Sequence, residues 1–300
     1  MKKYSAKMLM VALVFAVALC VLVTPNSTAQ ADVGPKPSVN IIFKNMGDEL
    51  CYCTLLSKHE TTGPFRVWDG SEEQFEWSGL DREIFMAFVN YKDADGFYFL
   101  QVAERCDESK SFSWGYHPPY TFKVLLYYPE TNTFVTSDIY ERYAFDSYFS
   151  VDMQGVDITT TQAAPQLQLK NNYNYFKEIA TFICRVIITI AVEMGIAWLF
   201  RFRGKKVWLC LLITNVVTQL ILNVILNVVN YYDGGLALIL VYFFAEFVVL
   251  VVEAVTYCIA LRKLGEPKVP IWKSLLYAFV ANIVSFVSGM ALALYLPMLF

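Results

Sequence analysis

The sequence predicts a membrane protein in which an α+β, β-rich extracytoplasmic domain is followed by a four-helix transmembrane bundle. Three observations lead to this fold class. The chain is unusually apolar, with 56% hydrophobic and 17% charged residues, whereas soluble domains carry roughly 25% charge. A short apolar run opens the chain, and four long apolar stretches occupy residues 177–300. The segment between them, residues 32–176, is aromatic and acidic, with 21 acidic and 11 basic residues.

Residues 1–31 are predicted to be a secretory signal peptide. Three lysines precede an apolar run at Met8–Val23, and residues 29–31 read Ala-Gln-Ala, which is typical of a cleavage site. The alternative is an uncleaved membrane anchor. A lipoprotein is less compatible with the sequence, because Cys20 lacks the small residue that should precede it.

Residues 32–153 are predicted to form one exported domain, an antiparallel sheet with one solvated face and a single short helix. The helix is expected at 81–91, where Asp81 can act as its cap and the apolar residues Ile84, Phe88 and Tyr91 share one face. Strands are expected at 39–44, 50–57, 97–102, 122–128 and 143–152. About 120 residues are enough for one hydrophobic core.

The residues from Asp93 to Gly96, Asp-Ala-Asp-Gly, resemble part of a calcium-binding loop. Aligning Gly96 with the loop glycine places Tyr91 and Val102 where acidic ligands belong, so the motif predicts a turn. No phosphate-binding loop, nucleophile elbow or cluster of metal ligands occurs in the sequence. We therefore expect a protein that is not an enzyme, with no catalytic residues, metal or cofactor.

Three cysteines lie in the predicted exported domain: Cys51, Cys53 and Cys106. Disulfides persist outside the cytoplasm, and Cys51 and Cys53 would share one strand face. The sequence predicts a disulfide between Cys106 and one of the other two; the alternative is three buried thiols. Residues 154–176, which are rich in Thr, Gln and Ala, are predicted to be a tether.

Four stretches in residues 177–300 are long enough to cross a bilayer, which needs about 20 residues. Eight Lys and Arg residues lie in the loops after the first and third spans, whereas the loop after the second span and the C-terminus have none. The positive-inside rule therefore predicts a multi-pass plasma-membrane protein whose N-terminal domain and C-terminus are extracytoplasmic. The predicted spans are Lys177–Phe200, Val207–Asn230, Leu236–Leu261 and Lys273–Leu296.

Polar residues inside the spans fall into two layers. Four of them, one from each span, lie 7 to 9 residues from the cytoplasmic helix ends, a depth of about 10–14 Å: Glu193, Asn215, Glu253 and Asn282. Arg185 and Glu246 each lie 15 residues in, near the midplane, and are predicted to pair. Asn223 and Ser288 complete this second layer.

Three explanations of these polar residues remain open. Amides and hydroxyls can hold transmembrane helices together, with Arg185 paired to a glutamate. The same groups can form a path or binding site for a proton or cation, with Glu193 and Glu253 as carriers. The third explanation is an intramembrane enzyme. The absence of histidine from the spans argues against this explanation.

Several segments resemble a family of uncharacterised exported membrane proteins from clostridial bacteria. The similarity lies in Ala31–Val39, Thr54–Ser57, Asp93–Gln101 and Glu141–Tyr148, in the asparagine-rich second span and in Glu246–Glu253. The resemblance implies architecture and origin, and no activity or functional residue.

The function expected from the sequence is non-enzymatic binding or sensing by the extracytoplasmic domain. The alternative is a small proton- or cation-coupled transporter or channel-like unit that uses intramembrane glutamates. The expected partners are the lipid bilayer and either further copies of the chain or another membrane protein, because neither cytoplasmic loop is long enough for a signalling domain. Nothing in the sequence indicates nucleic-acid binding.

Overall fold

The structure is a computed structural model that describes residues 34–162 and 164–295, without the side chains of 290–295. The predicted signal peptide and the last five residues lie outside this range. A β-rich part is followed by long apolar helices, which confirms the predicted order of the two parts. The strands are β1 Ser38–Lys44, β2 Tyr52–Ser57, β3 Thr61–Thr62, β4 Phe65–Arg66, β5 Tyr98–Phe99, β6 Glu104–Arg105, β7 Ser111–Trp114, β8 Thr121–Tyr128, β9 Thr133–Thr136, β10 Tyr140–Glu141, β11 Asp146–Asp152 and β12 Leu169–Asn171. The helices are α1 Glu72–Ser78, α2 Arg82–Asn90, α3 Tyr175–Leu199, α4 Lys205–Leu264 and α5 Ile271–Tyr295.

In the described residues, the β-rich part consists of two larger sheets, a small two-stranded sheet of β3 and β4, and two short helices. The outer sheet has the strand order β12-β11-β1-β7, and the larger sheet the order β10-β8-β2-β5, with β6 and β9 also attached. One core lies between the sheets and contains Ile41 of β1, Phe122 of β8 and Phe149 of β11. A second core lies between the larger sheet and α2, around Phe88 and Leu125.

This layering explains the burial of individual strands. Every residue of β8 after Thr121 is buried, because alternate side chains enter the two cores. Strand β1 alternates instead: Val39 and Ile41 are buried and Ile42 is exposed. The outer sheet therefore has one solvated face, whereas α2 packs on the second face of the larger sheet. Helix α2 matches the predicted helix, although the Asp81 side chain makes no capping hydrogen bond. Helix α1, which begins after Ser71, was not predicted.

The predicted antiparallel sheet differs from the structure at one pair of strands and at one isolated bridge, where Ser137 and Leu167 pair in parallel. Strands β1 and β11 pair in parallel, with Ser38 opposite Asp146 and Lys44 opposite Asp152. A parallel pair needs a long crossover connection, and here more than 100 residues separate the partners, so no hairpin signal marks the pairing.

The predicted tether, residues 154–176, also differs from the structure. Its C-terminal half belongs to the outer sheet, because β12 pairs antiparallel with β11. Leu167 and Leu169 are buried in the core between the sheets. Only a few residues therefore separate the β-rich part from α3, which begins at Tyr175.

Among the residues that the structure describes, three helices are long and apolar enough to cross a membrane: α3, α4 and α5. Helix α4 contains 60 residues, and its backbone leaves helical geometry at Gly234, where φ is 78° and ψ is −177°. The Thr218 hydroxyl contacts the Glu253 carboxyl at 2.7 Å. In a straight helix these residues would lie about 50 Å apart. The two arms of α4 therefore fold back on each other at Gly234.

Candidate functional site

A buried polar cluster lies between α3, the two arms of α4 and α5, and Glu253 is at its centre. One carboxylate oxygen accepts a hydrogen bond from Thr218 Oγ1 at 2.7 Å, and the other accepts one from Asn282 Nδ2 at 2.8 Å. All three side chains are buried. Two residues of the predicted polar layer, Glu253 and Asn282, are thus in direct contact.

The other two members of that layer lie in the same cluster. The Asn215 side chain accepts a hydrogen bond from the hydroxyl of Tyr257, one turn from Glu253. The hydroxyl of Tyr277 donates to the backbone carbonyl of Glu193 at 3.3 Å. Thr218, Tyr257 and Tyr277 were not among the predicted site residues. Such residues are common in apolar helices, so only the buried hydrogen bonds reveal their part in the cluster.

Glu193 differs from Glu253 in the contacts of its carboxyl group. The side chain is 0% exposed, and neither carboxyl oxygen has a hydrogen-bond partner among the described residues. Ser285 lies alongside it without meeting hydrogen-bond geometry. The charged groups that act on Glu193 are Glu253 and Glu246, both acidic. Asn282 Oδ1 is a further buried acceptor without a described partner.

The cluster therefore combines two carboxyl groups with amide and hydroxyl groups, shielded from water. Keeping an unpartnered carboxylate ionised in such surroundings is costly, because it has lost its hydration. Carboxylate and amide oxygens are also the ligands that hard cations prefer. A group of this kind can hold a proton or a small cation.

The predicted midplane pair consists of Arg185 on α3 and Glu246 on α4, and Glu246 is buried. The Arg185 guanidinium donates a hydrogen bond to Asn227 Oδ1, and Glu178 and Tyr242 act on its charge. Tyr242 also interacts with the carboxyl group of Glu246. The tyrosine thus interacts with both charged groups, and a direct ion pair stays a prediction. Asn223 donates to the backbone carbonyl of Gln219 within its own helix.

The Asp-Ala-Asp-Gly segment of the β-rich part forms a turn whose carboxylates face a lysine. The ammonium group of Lys123 lies 2.8 Å from Asp93 Oδ1 and 2.6 Å from Asp95 Oδ2. Burial opposes the charge of Lys123, but the hydrogen bonds to Asp93 and Asp95 outweigh this and raise its pKa. The two carboxylates of the turn are therefore paired with the Lys123 ammonium group.

The three cysteines of the predicted exported domain are buried free thiols in the structure. The Cys106 amide donates to the Cys51 carbonyl at 2.9 Å. The neighbouring Cys51 thiol and burial raise the pKa of Cys106, and burial raises the pKa of Cys53 well above its usual value. Cys51 is therefore the candidate partner of Cys106, and the disulfide itself stays a prediction.

A junction joins the β-rich part to the long helices. The amide of Phe145, just before β11, donates to the carbonyl of Tyr231 in α4 at 2.8 Å. Beside this bond lies a cleft of about 300 Å³, here called the junction cleft. Its lining consists of Ala144, Asp146, Tyr148, Asn172, Tyr173, Asn174, Lys177, Glu178, Asn230 and Tyr231.

No protein-family model, curated protein or solved structure matches this chain. Within the described residues, no group of three or more His, Cys, Asp and Glu side chains is arranged to hold a metal ion. The similarity to clostridial exported proteins stays an expectation from the sequence. Any functional conclusion rests on the geometry described above.

Proposed function

We propose that this chain is a plasma-membrane protein with four membrane spans and its β-rich domain on the extracytoplasmic side. The two arms of α4 count as two spans, because they pack against each other. Apolar side chains on the long helices are exposed, as for Ile187 (60%), whereas Glu193 and Glu253 are buried. This distribution suits helices surrounded by lipid, whose polar groups must be satisfied within the bundle.

The function that the geometry supports best is non-enzymatic binding and sensing, in which the bundle takes up a proton or a small cation. The observation that carries this proposal is the Glu193 carboxyl, which is fully buried without a described hydrogen-bond partner beside a second buried glutamate. If the Glu193 carboxyl served only to hold the helices together, it would be hydrogen-bonded, as the Glu253 carboxyl is. A site that binds and releases a proton or cation instead keeps this carboxyl available.

The junction supplies a route between the bundle and the exported domain. The backbone bond from Phe145 to Tyr231 joins β11 to the arm of α4 that also carries Asn215 and Thr218. A change in the packing of this arm on proton or cation uptake would therefore act directly on the outer sheet. This arrangement is the basis for sensing rather than simple anchoring.

The test uses full-length protein in lipid nanodiscs. Infrared spectroscopy should detect a protonated buried carboxyl group, and Glu193→Gln should remove that band. The melting temperature of the wild-type protein should depend on pH or on sodium or potassium concentration, and Glu193→Gln should weaken this dependence. Glu266→Gln, at an exposed loop glutamate, is the matched control. The proposal would be contradicted if wild-type and Glu193→Gln proteins had the same infrared band and the same dependence of melting temperature on pH and cation concentration.

Transport is a second candidate, favoured by the position of the two carboxyl groups on different helices of one bundle. Glu193 on α3 and Glu253 on α4 interact through the cluster, so a proton or cation could pass between them. Under this function, Glu193→Gln and Glu253→Gln should each abolish pH-dependent flux in proteoliposomes. If wild-type protein carries no flux under proton, sodium or potassium gradients, transport is excluded and the sensing proposal stands.

A further inference from the structure

The junction cleft combines aromatic rings with carboxylates. Tyr148, Tyr173 and Tyr231 contribute the rings, and Asp146 and Glu178 contribute the carboxylates. The rings of Tyr173 and Tyr231 lie 5.2 Å apart at 74°, and those of Tyr148 and Tyr173 lie 6.2 Å apart at 61°. The rings are therefore steeply inclined to one another rather than stacked flat.

Both carboxylates belong to residues that line the same cleft. Asp146 and Glu178 both act on the hydroxyl of Tyr148, and Glu178 interacts with the hydroxyl of Tyr173. Asp146 accepts a hydrogen bond from Ser38 at 2.5 Å, which fixes its position at the start of β11. Glu178 lies in the first turn of α3, so the two charges come from different parts of the fold.

We propose that the junction cleft binds an alkylammonium group between the rings of Tyr148, Tyr173 and Tyr231 and the carboxylates of Asp146 and Glu178. A cation over an aromatic face is attracted by the ring quadrupole, and aromatic cages recognise quaternary ammonium groups in this way. The two carboxylates supply the countercharge. A volume of about 300 Å³ has room for a trimethylammonium group and the chain that carries it.

Lys177 also lines the cleft and is the cationic side chain in the set that forms its wall. It is exposed in the first turn of α3. In the proposed topology this turn lies close to the extracytoplasmic surface of the plasma membrane. An ammonium group beside Lys177 would be repelled, whereas a phosphate would be attracted. The ligand can thus be a free alkylammonium solute or the headgroup of a zwitterionic phospholipid, whose phosphate would face Lys177.

This inference rests on the proposed placement of the exported domain outside the membrane, but not on the carboxyl cluster within the bundle. If infrared spectroscopy showed no band for a protonated Glu193 carboxyl, the proposed ammonium binding would be unaffected. Conversely, failure of ammonium binding would leave the pH dependence of the bundle unaffected. The two proposals therefore fail on different measurements.

The experiment measures binding of choline to the full-length protein in nanodiscs of phosphatidylglycerol, by isothermal titration calorimetry. Its uncharged isostere, 3,3-dimethylbutan-1-ol, is the ligand control. We expect saturable binding of choline and at least tenfold weaker binding of the isostere. The reason is that the carboxylates and aromatic rings attract the positive charge of choline, which the isostere lacks. No saturable binding of choline, or equal binding of the isostere, would overturn the proposal.

Variants identify the site. Glu178→Gln and Tyr173→Leu should each weaken choline binding about tenfold, whereas Tyr173→Phe, which keeps the ring, should bind within about twofold of wild type. Tyr98→Leu is the matched control, since Tyr98 is 38% exposed and does not line the cleft. Unchanged melting temperatures establish that the variants are folded. Unchanged choline affinity in both Glu178→Gln and Tyr173→Leu would refute the assignment.

A second set of nanodiscs separates the two sources of the ammonium group. If a lipid headgroup occupies the cleft, replacing phosphatidylglycerol by phosphatidylcholine should weaken the apparent affinity for free choline, and Tyr173→Leu should remove this competition. If the ligand is a solute, the affinity should be the same in both lipids. Either result supports an ammonium site and names its source.

Discussion

Phe145 fills the space that a side chain on Gly234 would need. A Cβ atom at position 234 would lie 2.5 Å from Cε1 of the Phe145 ring, closer than van der Waals contact allows. The backbone of Gly234, with φ of 78° and ψ of −177°, is in a region that glycine alone adopts readily. The reversal of α4 and the docking of the β-rich part thus depend on the same residue.

Gly234→Ala should therefore loosen the junction. We expect it to lower the free energy of unfolding by about 1–3 kcal/mol, from backbone strain and displacement of the Phe145 ring. The measurement is the melting temperature in detergent, together with protease sensitivity near residue 145. Gly235→Ala is the control, because a Cβ at that position meets no atom within 4 Å. Equal behaviour of the two variants would contradict this role.

The C-terminus should lie outside the cytoplasm. Eight Lys and Arg residues in the loops after the first and third predicted spans, against none in the other loop and tail, give this orientation. A C-terminal alkaline phosphatase fusion should be active, and a fluorescent-protein fusion exported by the same route should be dark. A fusion placed in the loop at Gly204 should behave in the opposite way. Reversed activities would invert the topology.

Cys51 and Cys106 should form a disulfide in the exported protein. Strand β6 pairs Cys53 with Glu104 and Tyr52 with Arg105, so the next position of this register places Cys51 opposite Cys106. Opposite residues of antiparallel strands have Cα atoms about 4.5–5.5 Å apart, within the range that a disulfide spans.

The measurement is mass spectrometry after alkylation in denaturant without reductant. Denaturant is necessary because the thiols are buried and their raised pKa values leave little reactive thiolate in the native state. We expect Cys53 to be alkylated and a peptide linked through Cys51 and Cys106. Alkylation of all three would contradict the prediction, and a link through Cys53 would contradict the register argument.

Arg185 and Glu246 should be energetically coupled. Arg185→Leu or Glu246→Leu alone leaves a charge within the bundle without its countercharge, so each should lower accumulation in membranes. The double variant should recover much of the loss. Because Tyr242 interacts with both groups, Tyr242→Phe should reduce the coupling without removing either charge. A double variant as poor as the sum of the singles would mean that the two residues do not interact.

The sequence predicted the long helices more closely than the contacts between them. Helix α3 begins two residues before the start of the predicted span and ends one residue before the end of that span. The agreement is close because hydropathy marks such segments strongly. The layer count placed Glu253 and Asn282 at equal depth, and the two side chains are hydrogen-bonded in the structure. Strand β1 was predicted within one residue, since its apolar side chains alternate.

Features that depend on distant partners could not be predicted in this way. The pairing of β1 with β11 and the burial of Leu169 are decided by residues far away in the sequence. Nor does a threonine or tyrosine in an apolar helix reveal whether its hydroxyl meets a carboxyl group. The docking of Phe145 against Gly234 is of the same kind, because the glycine signals a turn but not what packs on it.

Thr218 should stabilise the bundle through its hydrogen bond to Glu253. Thr218→Val keeps the size of the side chain but leaves Oε1 of a buried carboxyl group without its donor. The expected cost is about 1–3 kcal/mol in free energy of unfolding. Thr214→Val is the matched control, one turn earlier on the same helix and only partly buried.

The pH dependence of this cost reports the state of Glu253. A hydrogen bond to an ionised acceptor contributes about 1.5–3 kcal/mol, against about 0.5–1.5 kcal/mol for a neutral one. The loss on Thr218→Val should therefore be larger at alkaline than at acidic pH if Glu253 gains and loses a proton between them. In a Glu253→Gln background the acceptor is neutral at every pH, so the cost should be small and constant. If Thr218→Val costs no more than Thr214→Val at either pH, the hydroxyl does not support the carboxyl group, and the cluster acts through packing alone.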